Sequence, residues 1–325
     1  MSAMRFFKRR FSQQEESLTK SSKEVITRRK RRREEPPKPW GKKERLMVFL
    51  VFVVTVVTAL FLSLKAREWK LPGLPRLALP KAVLEETYVF DSRKPSRDPR
   101  VVIDEVNQLT KGASGVYGLY VVDLTNDENY GIYEDELFQA ASLIKLPVMS
   151  AIYFKHESGN LDLNENAGES KYTYRELVFA MGKRSDNNAY NLSLKLLGKN
   201  FMEEYIKEIG LLNTSLEENL TTPRDIGIFF RNLWQKRIVE RPYRDEILKS
   251  LTDTIYEDWL AAGITDVQVA HKFGREVHVI NDAGIVFADD PYVLVVMSKG
   301  IVESEANKLI PEIAALVHLF QTGGI

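Results

Sequence analysis

Cysteine is absent from the 325 residues, and histidine occurs four times, as His156, His271, His278 and His318. Without cysteine there are no disulfides, no thiol nucleophile and no cysteine-ligated metal site. The histidines lack the close spacing of the H-x-x-x-H zinc motif, so the sequence predicts neither a metal centre nor a cofactor. Any catalysis by this chain would have to use hydroxyl, amine and carboxylate groups.

Charge is missing from one long segment. The run from Leu46 to Leu64 contains 19 uncharged residues, enough to cross a bilayer as a helix at 1.5 Å per residue. A buried core helix is the alternative, but charged clusters flank the run on both sides. A cleaved signal peptide would begin near residue 1 and have a shorter apolar core. We therefore predict one transmembrane helix over residues 46–64.

The segment before this run is strongly basic. Residues 1–45 hold 16 lysines and arginines against 6 glutamates and no aspartate, a net charge of +10, whereas the whole chain carries +1. Positive segments stay on the cytoplasmic side, so the sequence predicts a cytoplasmic N-terminus and an extracytoplasmic C-terminal bulk. Binding of this tail to anionic lipid or to nucleic acid is the alternative. The topogenic role is favoured, and no nucleic-acid partner is predicted.

After the apolar run, residues 65–97 contain four prolines among charged and small residues, which is typical of a stalk. Residues 98–325 are long enough for a folded domain with a sizeable core. Their hydrophobic periodicity predicts two strands, then a series of helices, then strands again and a final helix. The predicted strands cover 115–124, 130–133, 267–272, 277–280, 283–288 and 292–298. The sequence thus predicts an α+β domain whose antiparallel sheet is built from both ends, with a helical lobe inserted.

One candidate site is the segment Phe138-Gln-Ala-Ala-Ser-Leu-Ile-Lys145. Ser142 and Lys145 are three residues apart at a predicted helix start, so their Cβ atoms lie roughly 5–6 Å apart on one helix face. At that separation the lysine amine reaches the serine hydroxyl, which allows an activated serine nucleophile. The same spacing also occurs on ordinary helix surfaces.

Two further segments carry candidate residues. Ser185-Asp186-Asn187 follows a predicted helix and turn, and Asp186 is well placed to cap the next helix. Lys272-Phe273-Gly274 ends a predicted strand, where a glycine often marks close approach by a ligand or another backbone. Taken alone, each segment is better explained by a structural role, the first as a helix cap and the second as an ordinary edge strand or bulge.

In this order, Ser142-x-x-Lys145, Ser185-Asp-Asn187 and Lys272-x-Gly274 resemble the three signatures of the class A β-lactamases and penicillin-binding proteins. The resemblance covers roughly residues 98–322. It implies a β-lactamase-like fold and a serine acyl-enzyme mechanism, with no cofactor.

The resemblance also implies a role for each matching residue. Ser142 would be the nucleophile, Lys145 its base, and Ser185 a proton relay towards the leaving group. Asn187 would hold a substrate amide, and Lys272 would attract a substrate carboxylate. The backbone N–H groups of Ser142 and Arg275 would form the oxyanion hole, and Gly274 would leave the strand edge open for an extended substrate.

The sequence departs from the family pattern in two places. Phe273 replaces the usual threonine, so a hydroxyl expected to contact the substrate carboxylate is missing. The Glu-x-x-Leu-Asn loop, whose glutamate activates the deacylating water in class A enzymes, is absent between Ser-Asp-Asn and Thr221-Thr-Pro223. Glu217 and Glu218 are the nearest carboxylates before Thr221, either as a replacement base or as ordinary solvated charges.

These observations favour a membrane-anchored serine hydrolase acting outside the membrane on a β-lactam or a peptidoglycan-type peptide. A D-Ala-D-Ala carboxypeptidase is the alternative within the enzyme class, because the deacylating glutamate is missing. A catalytically weak penicillin- or peptidoglycan-binding sensor is the alternative from another class, and Phe273 and the basic tail suit it. The sequence does not indicate an oligomeric state.

Overall fold

The computed structural model describes residues 41–65 and 97–324. Helix α1, Lys42–Lys65, contains the predicted apolar run, and the residues from Arg97 onward belong to a separate compact unit. Within the described ranges, no helix meets the combined length and hydropathy of a membrane span. The transmembrane segment over 46–64 therefore stays a prediction. The predicted tail and stalk lie outside the described residues, apart from 41–45, 65 and 97.

The unit that begins at Arg97 combines helices and strands in the predicted alternation. Its helices are α2 Arg100–Thr110, α3 Lys145–Glu157, α4 Tyr174–Lys183, α5 Asn187–Leu197, α6 Lys199–Glu208, α7 Pro223–Trp234, α8 Tyr243–Ser250, α9 Leu260–Gly263 and α10 Glu303–Thr322, with a 3₁₀ turn at Ala141–Ile144. Its strands are β1 Val116–Asp123, β2 Asn129–Ile132, β3 Phe138–Gln139, β4 Leu220–Thr221, β5 Val269–Glu276, β6 Val279–Val286 and β7 Tyr292–Lys299.

The main sheet joins strands from both ends of this unit. In the described part of the chain it has five strands in the order β2-β1-β7-β6-β5, and every neighbouring pair is antiparallel. β1 pairs with β7 over its whole length, from Val116 opposite Lys299 to Asp123 opposite Tyr292. The predicted architecture, an antiparallel sheet built from both ends of the domain with a helical lobe inserted, is confirmed.

Helix starts follow the local chemistry of their capping residues. Thr173 and Glu176 form a reciprocal capping box at the start of α4. The carboxylate of Asp186 accepts hydrogen bonds from the amides of Asn188 and Ala189 at 2.8 and 2.9 Å, which confirms its predicted capping role at α5. Thr222 caps α7, where Pro223 occupies the first turn without leaving a helical N–H unpaired.

Two apolar clusters cover the two faces of the sheet. One lies between the sheet and the helical lobe and includes buried residues of α3, α4, α6 and α7. The other lies between the opposite face and helices α2, α9 and α10. Every residue of β6 is buried, as expected for a strand covered on both faces. Strand β5 is at the end of the sheet, so one of its edges is free to line a site.

Two predictions of strand bounds are wrong. Strand β5 continues to Glu276, beyond the predicted end at 272, so Lys272-Phe273-Gly274 lies inside the strand. The sequence suggested two short strands, 277–280 and 283–288, separated at the polar pair Asn281-Asp282, whereas the structure has the single strand β6. Both polar residues are fully buried. The Asn281 side chain accepts a hydrogen bond from the Ser298 amide at 2.9 Å, and Asp282 lies 2.8 Å from His271. Partners supplied by other strands let a polar pair continue an apolar strand.

Candidate active site

Ser142 lies in the 3₁₀ turn that leads directly into α3. The side chain of the buried Asn281 donates hydrogen bonds to the carbonyls of Gln139 and Ala140, at 2.8 and 3.3 Å, and so ties this turn to the central sheet. Ala141, immediately before the serine, has a φ of 49°. A residue with a Cβ rarely adopts this left-handed conformation, and such strain is typical of functional sites.

Lys145 brings the first two motifs together. Its Nζ lies 2.8 Å from Ser142 Oγ, 2.7 Å from the Ser185 carbonyl oxygen, 3.1 Å from Ser185 Oγ and 2.7 Å from Asn187 Oδ1. The Ser185 carbonyl and Asn187 Oδ1 can only accept hydrogen bonds. They account for both N–H groups of a neutral amine, which leaves its lone pair for the Ser142 hydroxyl. The geometry therefore suits Lys145 as the acceptor of the serine proton.

Burial favours this neutral form of Lys145. The side chain is 2% exposed, and desolvation lowers the pKa of Lys145 from 10.5 to about 8, although the charge of Asp186 acts in the opposite direction. Among the described residues, none of the hydrogen bonds of Lys145 goes to a carboxylate. A substantial fraction of Lys145 is thus neutral near pH 8.

Ser185 and Asn187 reach Lys145 through an unusual backbone conformation. Ser185 has a φ of 54°, in the left-handed region, and its carbonyl points at the Lys145 amine. Asn187 opens α5 and is exposed, with its Oδ1 on the same amine. The Asn187 amide N–H groups take no part in that hydrogen bond.

Gly274 brings strand β5 against the serine backbone. A Cβ built on this glycine would lie 2.9 Å from the Ser142 nitrogen, closer than real Cβ atoms approach, and 3.2 Å from the Ala140 carbonyl oxygen, a tight contact. The close approach predicted for this glycine is therefore present, but its neighbour is the backbone of the serine turn. Arg275 follows in β5, and its exposed guanidinium forms an ion pair with Glu303.

The side chain of Lys272 is enclosed by the protein, whereas a lysine that binds an anion would be accessible. Its side chain is 0% exposed, and its Nζ donates a hydrogen bond to the Phe273 carbonyl at 3.1 Å and lies 4.1 Å from the Phe273 ring centroid. Burial, together with the nearby charge of Lys145, lowers the pKa of Lys272 to about 7. A charge on Lys145 therefore disfavours the protonated form of Lys272.

A buried charged cluster next to Lys272 escaped the sequence analysis. His271 is fully buried, with Nδ1 2.8 Å from Asp282 and Nε2 3.3 Å from Glu257. Burial alone would lower its pKa, but the two carboxylates outweigh that effect and raise the pKa of His271 to about 10. The second oxygen of Asp282 accepts from the Leu260 amide at 3.0 Å. The polar pair Asn281-Asp282 within an apolar segment is the sequence feature that could have indicated this cluster.

The candidate deacylation bases are not part of this group of residues. Glu217 is exposed and forms an ion pair with Lys199 at 2.7 Å. The backbone amide of Glu218 donates to Ser215 Oγ at 3.1 Å, and the residue is exposed. In the part of the chain that the structure describes, neither carboxylate is hydrogen-bonded to Ser142 or Lys145.

The fold and the contact between a buried lysine and a serine hydroxyl fit a family of serine hydrolases. The model of the Beta-lactamase enzyme family matches residues 101–321, and the chain belongs to that family. No curated protein matches the sequence.

Solved structures agree with this assignment. The structure of PBP-A is 25% identical, covers 70% of this chain and 99% of its own, and gives a TM-score of 0.65. A mutant of PBP-A, solved as an acyl-enzyme complex with penicillin G, is also 25% identical, with a TM-score of 0.64 and the same coverage. The class A β-lactamase of the last common ancestor of Gram-negative bacteria is 23% identical, covers 68% of this chain and 99% of its own, and has a TM-score of 0.64; it supports the fold alone.

The His271 cluster predicts a large effect on stability. His271→Gln leaves Asp282 as a buried carboxylate without its cation, which typically costs about 3–5 kcal/mol. We expect chemical denaturation at pH 7 to give a correspondingly lower free energy of unfolding. His278→Asn is the matched control, because His278 is exposed on the adjoining turn with a φ of 58° that asparagine tolerates. Equal stability of the two variants would contradict the role of the cluster.

The same cluster gives a pH-dependent contribution to stability. The pKa of His271 is about 10 in the folded chain against an ordinary value of 6.5, so its stabilisation is complete below pH 6.5 and is lost as pH rises towards 10. Lys145 and Lys272 act oppositely, because their folded pKa values lie below 10.5. The difference in unfolding free energy between wild type and His271→Gln isolates the histidine contribution.

Proposed function

We propose that this chain is a membrane-anchored serine hydrolase that forms an acyl-enzyme through Ser142 with a β-lactam or a peptidoglycan-type peptide. The observation that carries the proposal is the 2.8 Å contact between Lys145 Nζ and Ser142 Oγ, in which burial keeps the amine able to accept a proton. The PBP-A mutant solved with penicillin G bound as an acyl-enzyme supports the choice of ligand class.

In the proposed acylation step, Lys145 takes the proton of Ser142 as Oγ attacks the carbonyl carbon of the scissile amide. A C–O bond forms, and the carbonyl π electrons move to oxygen. The N–H groups of Ser142 and Arg275 are proposed to stabilise this oxyanion. The amide C–N bond then breaks, and the leaving nitrogen receives a proton relayed through Ser185 from the Lys145 ammonium. Ser185 Oγ lies 3.1 Å from Lys145 Nζ, as such a relay requires.

Release of the product is proposed to be the slow step. Hydrolysis needs a base that takes a proton from the water attacking the acyl carbon. Glu217 and Glu218 are the nearest carboxylates in sequence before Thr221. Glu217 lies at the surface, where it forms an ion pair with Lys199. Slow hydrolysis favours a penicillin-binding role, as a peptidase or a sensor, over rapid destruction of β-lactams.

Penicillin labelling tests the proposal directly. The full-length chain is incubated with benzylpenicillin, and intact-mass spectrometry follows adduct formation and decay over time. We expect one covalent adduct per chain that decays slowly, and no adduct with Ser142→Ala, since the nucleophile is removed. Ser150→Ala is the matched control, because that buried hydroxyl bonds to Pro147 and Tyr205 away from Lys145. Rapid loss of the adduct would instead indicate a β-lactamase, and a chain that never forms one would argue against the proposed function.

Acylation should depend on pH through Lys145. Because the pKa of Lys145 is lowered to about 8, the neutral fraction falls roughly ten-fold for each pH unit below that value. We expect the rate of adduct formation to rise with pH up to about 8 and then to level off. Lys145→Arg should abolish it, since arginine keeps its proton. A rate independent of pH between 6 and 9 would exclude Lys145 as the base.

The proposal includes a membrane anchor over residues 46–64 and an extracytoplasmic catalytic domain. Its support is the 19-residue uncharged run and the net charge of +10 before it. Within α1, the hydroxyls of Thr55 and Thr58 donate to the carbonyls of Val51 and Val54 at 2.8 Å. These bonds satisfy both polar side chains inside the helix, as an apolar environment requires.

The absence of cysteine allows a simple test of this topology. Single cysteines are introduced as Ser22→Cys in the tail and as Lys111→Cys at an exposed position of the domain. Cells with an intact inner membrane are treated with a membrane-impermeant maleimide. We expect Lys111→Cys to react in intact cells and Ser22→Cys to react only after lysis. Labelling of both positions before lysis, or of neither, would contradict the proposed orientation.

A further inference from the structure

Phe273 of strand β5 forms an aromatic cluster with Tyr256 and Trp259, two residues of the segment that precedes the strand. The ring centroids of Phe273 and Tyr256 are 3.8 Å apart, and those of Phe273 and Trp259 are 5.8 Å apart. Phe273 directly precedes Gly274, whose Cα faces the Ser142 nitrogen. An aromatic residue that is buried in this cluster, 6% exposed, therefore stands next to the glycine that contacts the serine turn, at a position where the family pattern has a hydroxyl.

The lysine on this segment is withdrawn from any ligand. Lys272 has no exposed surface, and its Nζ is held by the Phe273 carbonyl and the face of the Phe273 ring. A carboxylate placed here would lose its hydration against aromatic side chains without gaining a hydroxyl donor or an accessible cation. The Lys272 amine is thus a neighbour of Lys145 and not an open anion site.

The charges around β5 also oppose a carboxylate. Glu257 contacts His271 and remains 42% exposed, and the exposed Glu276 ends the strand. Glu303 is paired with Arg275, which is the exposed cation of β5. With Asp282, four carboxylates face Arg275 and the protonated His271, both already paired, so these groups carry a net negative charge, which repels an anionic substituent.

We infer that the site selects acyl donors whose substituent beside the scissile bond is uncharged, an ester or an amide, over donors with a free carboxylate there. The inference rests on the proposed acylation of Ser142 and concerns only which donors are preferred. An uncharged substituent needs no ionic partner, whereas the missing hydroxyl and the enclosed lysine remove the groups that would pair with a carboxylate.

The test compares benzylpenicillin, which has a free carboxylate, with its methyl ester. Intact-mass spectrometry gives the acylation rate constant of each probe with the full-length chain, and the acid-to-ester ratio is divided by the ratio of their reactions with hydroxide. For the wild type we expect a normalised acid-to-ester ratio below one, since the carboxylate of the acid meets a negatively charged rim and no free cation. This measurement needs no variant and is unaffected by folding defects.

Two variants at one position separate the hydroxyl from the aromatic ring. Phe273→Thr supplies a donor and opens the path to Lys272, so we expect the acid-to-ester ratio to rise roughly ten-fold or more, as for one hydrogen bond to a charged group. Phe273→Leu, the matched control, removes the ring without adding a donor and should keep a ratio close to that of the wild type. Thermal unfolding of each variant checks that it is folded.

The outcomes distinguish the inference from the function on which it rests. Adducts with both probes, but a wild-type preference for the acid, or an acid-to-ester ratio that Phe273→Thr does not increase, would overturn the inference alone. A wild-type acid preference that disappears in Arg275→Gln would also overturn it, by identifying Arg275 as the partner of the carboxylate. The lack of a Ser142 adduct with either probe would overturn the proposed function, and the inference with it.

Discussion

The Nζ atom of Lys145 is removed from water and held by oxygen atoms of Ser142, Ser185 and Asn187. A buried amine needs hydrogen-bond acceptors. Here they come from the turn before α3, from the loop between α4 and α5, and from the first residue of α5. Ser185 adopts a left-handed conformation that points its carbonyl at the amine. The serine turn, the start of α5 and the adjoining edge of β5 are all arranged around this one group.

Buried basic side chains lie on both faces of strand β5. On the side of the serine turn, Lys145 and Lys272 are buried with lowered pKa values and no hydrogen-bonded carboxylate in the described residues. His271, adjacent in sequence, points to the opposite face, as alternation along a strand requires. There it is paired with Asp282 and Glu257 and keeps its proton. Lys145 and His271 are both buried, so their opposite pKa shifts come from the groups they contact and not from the depth of burial.

Much of the fold was predictable because it depends on local chemistry and simple periodicity. Asp186 was predicted as the cap of α5. The order of strands and helices predicted that strands from both ends of the domain form one sheet. The break assigned at Asn281-Asp282 was wrong, because those polar residues find partners on β5, on β7 and in the serine turn. No local pattern reveals hydrogen bonds between residues that are distant in the chain.

By itself, the sequence determined the spacing of Ser142 and Lys145, the order of the three motifs and the charge asymmetry around the apolar run. These properties are covalent or confined to a few successive residues. Only the tertiary structure decided that Lys145 is enclosed by Ser185 and Asn187, that Gly274 touches the Ser142 backbone, and that Phe273 covers Lys272. Burial, pKa and access depend on segments that meet only after folding, because desolvation is caused by every neighbouring atom whatever its position in the chain.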